Sequence, residues 1–113
     1  MTPDQIAPVV HEAIRALQAV LGQEPAPPWN DATWQRDSTL QAVEAALANP
    51  DPAHQHERWM QERLAAGWTY GPVREDHAKK NPLLIPFEEL PPFEKAKDAL
   101  IVAISQTLKD IPA

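Results

Sequence analysis

Trp59, Arg63, Trp68, Tyr70 and Arg74 fall within one short span of the chain. Indole and phenol rings offer flat faces for stacking. Guanidinium planes stack on such faces and grip carboxylates or phosphates through paired N–H donors. Together these residue types suit a flat, negatively charged guest. Each also has a plainer use. Trp59 fits a core position on a helix, and Trp68 and Tyr70 fit anchors of the segment that carries them. Arg74 fits an ion pair with Glu57, Glu75 or Asp76. Lys79-Lys80 fits a solvated pair as readily as a phosphate contact.

Other chemistries find less material. His54 and His56 are two residues apart, which on a helix sends them to different faces; zinc helices space their histidines by four. With no cysteine in the chain and no second ligand cluster, no metal site is expected. His56 or Glu57 is better suited to capping a helix or bonding a neighbouring loop. Glu57 and Asp76 supply no nucleophile with its base, so no catalytic residues are expected. The three glycines stand at positions 22, 67 and 71, each at an element boundary, and form no phosphate loop. No cofactor is predicted.

The bounds are narrow. A chain of 113 residues makes one domain with one modest core. Its net charge of −6 is spread among interspersed acids and bases, which argues against nucleic-acid binding. No apolar run approaches the roughly 18 residues of a membrane span. The N-terminus lacks the basic and apolar regions of a secretion signal. A soluble cytoplasmic protein is the expectation.

Hydrophobic spacing predicts four helices to position these residues. The first covers 6–21, with Ile6, Val10, Ile14, Leu17 and Leu21 on one face, Thr2 or Asp4 as cap, Pro8 in the first turns and Gly22 as stop. A proline-rich connection follows, pinned to the core by Trp29 and Trp34. The second covers 38–48, capped by Asp37 or Ser38, with Leu40, Val43 and Leu47 inward. The third covers 53–66 and closes on Gly67 in a left-handed conformation. The last covers 92–109, with Pro92 in the first turn and Phe93, Ala96, Leu100, Ala103 or Ile104, and Leu108 inward. Between the third and fourth, Trp68-Thr69-Tyr70 reads as a short strand turned by Gly71-Pro72. Leu83-Leu84-Ile85-Pro86-Phe87 reads as a second extended segment that pairs with or packs on it. The fold class is therefore mainly α, four helices with a short extended excursion.

The motifs of the second half form an ordered set: His56-Glu57 with Trp59, Gly67-Trp68-Thr69-Tyr70-Gly71-Pro72-Val73-Arg74, Asn81-Pro82-Leu83-Leu84-Ile85-Pro86-Phe87, and Leu90-Pro91. Over about residues 54–109 this set resembles the RyR domain, the repeat named after ryanodine receptors. Residues 1–50, with IAPVVHEAIRALQAVLG, then PPW, then WQ and a helix ending in NPD, resemble the N-terminal half of stand-alone members from bacteria and their phages. Asn81 stands where many members carry histidine, a departure at the polar rim. The resemblance implies one RyR-type domain over 1–113, with two helix pairs joined by short strands.

It also implies a role. Repeats in the channel members are associated with adenine nucleotides, and stand-alone members with sensing nucleotide-derived signals. Carried over, Trp59 stacks on the base and Arg74 meets the phosphate, with Arg63, Trp68 and Tyr70 beside them. The expected function is non-enzymatic binding of an adenine nucleotide or a signal derived from one. The competing expectation is a structural or protein-interaction module, such as a homodimer formed through Ile101, Val102 and Ile104 of the last helix.

Overall fold

The computed structural model describes residues 1–112. Four helices follow in order: α1 Pro3–Val20, α2 Trp34–Ala48, α3 Pro52–Ala65 and α4 Pro92–Leu108, with 3-10 turns at Trp29–Asp31 and Phe87–Glu89. The mainly helical class matches the sequence reading. None of these helices is long and apolar enough to cross a membrane.

Local signals set most of the helix ends. The Thr2 hydroxyl takes the backbone N–H of Gln5, and the Gln5 side chain reaches back to Thr2, a reciprocal cap that starts α1 three residues before the predicted position. Pro8 lies inside the helix, so the carbonyl of Asp4 loses its intrahelical donor. Gly22 and Gly67 both have positive φ, +72° and +90°. Each closes its helix with the paired bonds of a Schellman motif: Gly22 to Ala19 and Gln23 to Gln18, then Gly67 to Leu64 and Trp68 to Arg63. The Asp51 carboxylate caps α3 through Ala53 N–H; the predicted cappers His56 and Glu57 sit further along the helix.

α2 starts at Trp34, not at residue 38. Its N-cap Thr33 makes no side-chain cap bond, and Gln35 Oε1 instead takes the Thr33 N–H. Asp37 and Ser38, predicted as cappers, are inside the helix.

The core is centred on Ile6, Ala7, Val10 and Val43, with Ile14, Leu40, Leu47, Ile101, Ile104, Leu108 and Trp29 packed around them. α1 packs on α2 and α4, and α3 leans on α4 and α2. Trp29 pins the proline-rich connection, as expected, with its ring edge-on to His11 at 5.4 Å. Trp34 does not: 57% of it is exposed. On α4, Ile104 and Leu108 pack on the core as predicted, but the rest of the face is rotated. Phe93, Ala96 and Ala103 are exposed, and Val102 and Ser105 are the buried positions. Ile101, Val102 and Ile104 are thus spent on the interior rather than left as a free face.

The excursion between α3 and α4 is short and extended, but its pairing differs from the expectation. Thr69 bonds Lys79 and Asn81, and Glu75 exchanges two bonds with Lys80. Residues 83–87 take no part. Pro82 and Pro86 bring no N–H to a ladder, and the Asn81 side chain folds back onto the Leu83 N–H at 2.8 Å, turning the chain. Leu84, not its neighbours Leu83 and Ile85, is the buried residue there.

Two lysines fasten the excursion. Lys79, with a positive φ of 55°, donates from Nζ to Ala66 O at the C-terminal end of α3, where a cation is favoured. Lys80 donates to the Thr69 hydroxyl. Gly71 runs so close that an added Cβ would stand 2.8 Å from Lys80 Cβ. Gly71→Ala should therefore force the paired segments apart and cost about 1–3 kcal/mol. A fall in the urea midpoint with unchanged helical circular dichroism is the expected result.

Candidate functional site

α3 and the segment after it carry the candidate residues, and the helix ends fix where they point. Trp59 and Arg63 are four apart on α3 and so share a face. The Schellman closure at Gly67 then folds Trp68 back over that face. Trp34, at the start of α2, arrives from the other side. The result is one guanidinium among three indoles: Arg63 Cζ lies 5.6 Å from the ring centre of Trp34, 5.9 Å from that of Trp59 and 5.8 Å from that of Trp68. Contacts of this kind favour a cation electrostatically. Among the described residues Arg63 makes no hydrogen bond and no ion pair, so its N–H donors remain open.

These four side chains line a cavity of about 490 Å³. That volume lies within the usual range for small-molecule sites. A smaller chamber of about 170 Å³ adjoins it between the helices, sharing His11, Ile14, Ser38, Thr39, Trp59 and Asp98. The cavity therefore reaches from the excursion toward the middle of the helical bundle.

The mouth and the floor differ. Trp34, Arg74 and Asp76 form an exposed rim. Arg74 Nε donates to Asp76 Oδ1 at 2.7 Å, and this bond holds the Asp76 carboxyl below its usual range. Arg74's charge is therefore already answered by the ion pair, one of the plain readings. The floor contains His56, Asn81, Glu94, Lys97 and Asp98. His56 is buried, stacked on Trp59 at 5.5 Å and tilted against Phe87. Its Nε2 lies 2.7 Å from Ile85 O. A carbonyl only accepts, so Nε2 carries a proton. This bond ties α3 to the excursion, as expected for His56. Nδ1 faces Asp98 Oδ2 at 3.8 Å, too far for a direct hydrogen bond.

Asp98 is the most perturbed acid among the described residues. Burial pushes its pKa up to about 7, and the neighbouring Glu94 adds to the rise, against weaker pulls from Arg58 and Lys97. A group so displaced, sitting in a cavity, is a recognised mark of a functional position.

Of the residues singled out in the sequence, Trp59, Arg63, Trp68 and Arg74 line the same cavity. Tyr70 does not; it is 56% exposed and stands outside the lining set. Trp59 is half-buried, with its ring on the cavity wall rather than sealed in the core. Trp34 and Asp98 were not singled out as site residues; Asn81 was placed at a polar rim, whereas the structure buries it on the cavity floor, its Oδ1 turned back onto the Leu83 N–H. The aromatic richness of the proline-rich connection was the only signal for Trp34, and nothing in the pattern around Asp98 marks it as buried.

Against known families, a family model described as RyR domain matches residues 28–113. The match takes in α2, α3, the excursion and α4, and hence Trp34, Arg63, Trp68 and Asp98 together.

Proposed function

Because the chain belongs to the RyR domain family, we propose that its cavity binds, without transforming it, a flat anionic small molecule: an adenine nucleotide or a signal derived from one. One observation carries this reading. Arg63 is a guanidinium with no hydrogen bond or ion pair among the described residues, held between indoles on the wall of a ligand-sized cavity. A flat ring gains by stacking on Trp59 or Trp68, and a phosphate gains by meeting Arg63. The anion-binding role thus passes from Arg74, which is committed to Asp76, to Arg63. On this reading the protein works in the cytoplasm, where such nucleotides are made.

Calorimetric titration with ATP and ADP-ribose tests the proposal. Saturable heat at one site per chain is the expected result. Trp59→Ala should weaken binding by about 1–3 kcal/mol, the range for an aromatic–base stack, which is roughly 5- to 150-fold in Kd. Absence of heat with both compounds at millimolar protein would sink the reading.

A further inference from the structure

The two ends of the cavity ask for opposite things. At the mouth the unmatched group is a cation, Arg63. At the floor the unmatched groups are the Asp98 carboxyl, an acceptor, and the Asn81 amide nitrogen, a donor. Lys97 is engaged there with Glu94 and with Gln23 Oε1. The Asp98 carboxyl, with 15% of its side chain exposed, makes no hydrogen bond among the described residues. His56 Nδ1 stands 3.8 Å from it. The Asn81 Oδ1 is taken by Leu83 N–H; its amide nitrogen has no partner among the described residues. Asn81 and His56 are both more than nine-tenths buried and both line the cavity. A guest filling this end must bring an N–H or O–H donor for Asp98, or it leaves that acceptor buried and unpaired.

Stacking narrows the choice. Trp59 lies on His56, and Trp59 lines both chambers together with Asp98. A flat ring resting on Trp59 therefore lies in the same chambers as Asp98. An anion fits better at Arg63, which makes no ion pair among the described residues, than beside the Glu94 and Asp98 carboxyls.

Resting on the ligand-binding reading above, we propose that Asp98 is a specificity-determining residue that reads an exocyclic amine on the ring of an aromatic heterocycle, whose anionic group points out toward Arg63. The ligand class is an amino-substituted purine nucleotide or a close relative. The floor selects the amine, while stacking and charge hold any purine nucleotide.

Three probes separate the contributions: AMP, purine riboside 5′-monophosphate, which lacks only the amine, and 2′-deoxy-AMP, which keeps it. By calorimetry the amine-free compound should bind roughly tenfold or more weakly than AMP, the scale of one buried hydrogen bond left unmade. The deoxy compound should bind within about twofold of AMP. Asp98→Ala should collapse the preference for AMP to about twofold. Asp98→Asn, whose carbonyl still accepts, should keep part of it, which separates recognition from a folding defect. Equal affinity for AMP and the amine-free compound would overturn the inference and leave the ligand-binding reading standing. So would a loss confined to the deoxy compound. Binding of none of the three overturns both.

Discussion

Asp98→Asn should make the protein more stable at pH 8 by a few kcal/mol and leave it nearly unchanged near pH 4. The folded protein holds this carboxyl up at about 7, whereas in an unfolded chain it titrates near 3.8. Between those values the folded state keeps a proton that the unfolded state has lost. Stability attributable to this group is then fully present below about pH 4, falls as pH rises, and is lost once pH passes about 7. Each unit of displacement is about 1.4 kcal/mol, so the whole window amounts to a few kcal/mol, reduced by whatever water the cavity admits. An uncharged amide has no such dependence. Urea midpoints of the two proteins should diverge as pH rises from 4.5 to about 7 and then keep a constant gap to pH 8.5. A difference constant over the whole range would mean that Asp98 is already ionised in the folded state. A gain in stability on removing a native acid is also the pattern expected where a site is kept for function rather than for the fold.

Arg63→Ala should weaken ATP binding by about 1.5–3 kcal/mol, roughly 10- to 150-fold, because a hydrogen bond between charged partners is lost. Adenosine, which has no phosphate, should suffer much less. Arg63→Lys should recover only part of the loss, since an ammonium keeps the charge but not the planar fork that stacks between rings. An equal loss for ATP and adenosine would show that Arg63 supports the walls rather than meets the anion. The same substitutions at Arg74 should do little, because its guanidinium is exposed and already bound to Asp76.

The readable parts of this molecule were those fixed by neighbours in the chain. Thr2, Gly22, Gly67 and Pro92 mark helix ends through local bonds or backbone freedom, and each stands where its residue type suggested. Trp59 and Arg63 share a face because four residues make about one helical turn. The less readable parts depend on what a segment packs against. α4 carries apolar residues around much of its circumference, so its rotation is decided by α1 and α2, and Phe93 turns outward. Trp34 joins the site from another helix across a connection whose path no local rule dictates. Thr69 pairs near Lys80 instead of with residues 83–87 because Asn81 and two prolines divert the chain first. Asp98 sits between Lys97 and Ala99, an ordinary solvent-facing context in sequence; only the closure of α3 over α4 shuts it away from water.

Trp29 stands apart against His11, leaving most of the indoles of this chain gathered at Arg63. The protein thereby carries its own lamp where it matters. Whatever slides between those rings, or draws the guanidinium aside, alters the brightness and colour of the emitted light. Occupancy can be followed optically on the unlabelled, unaltered chain.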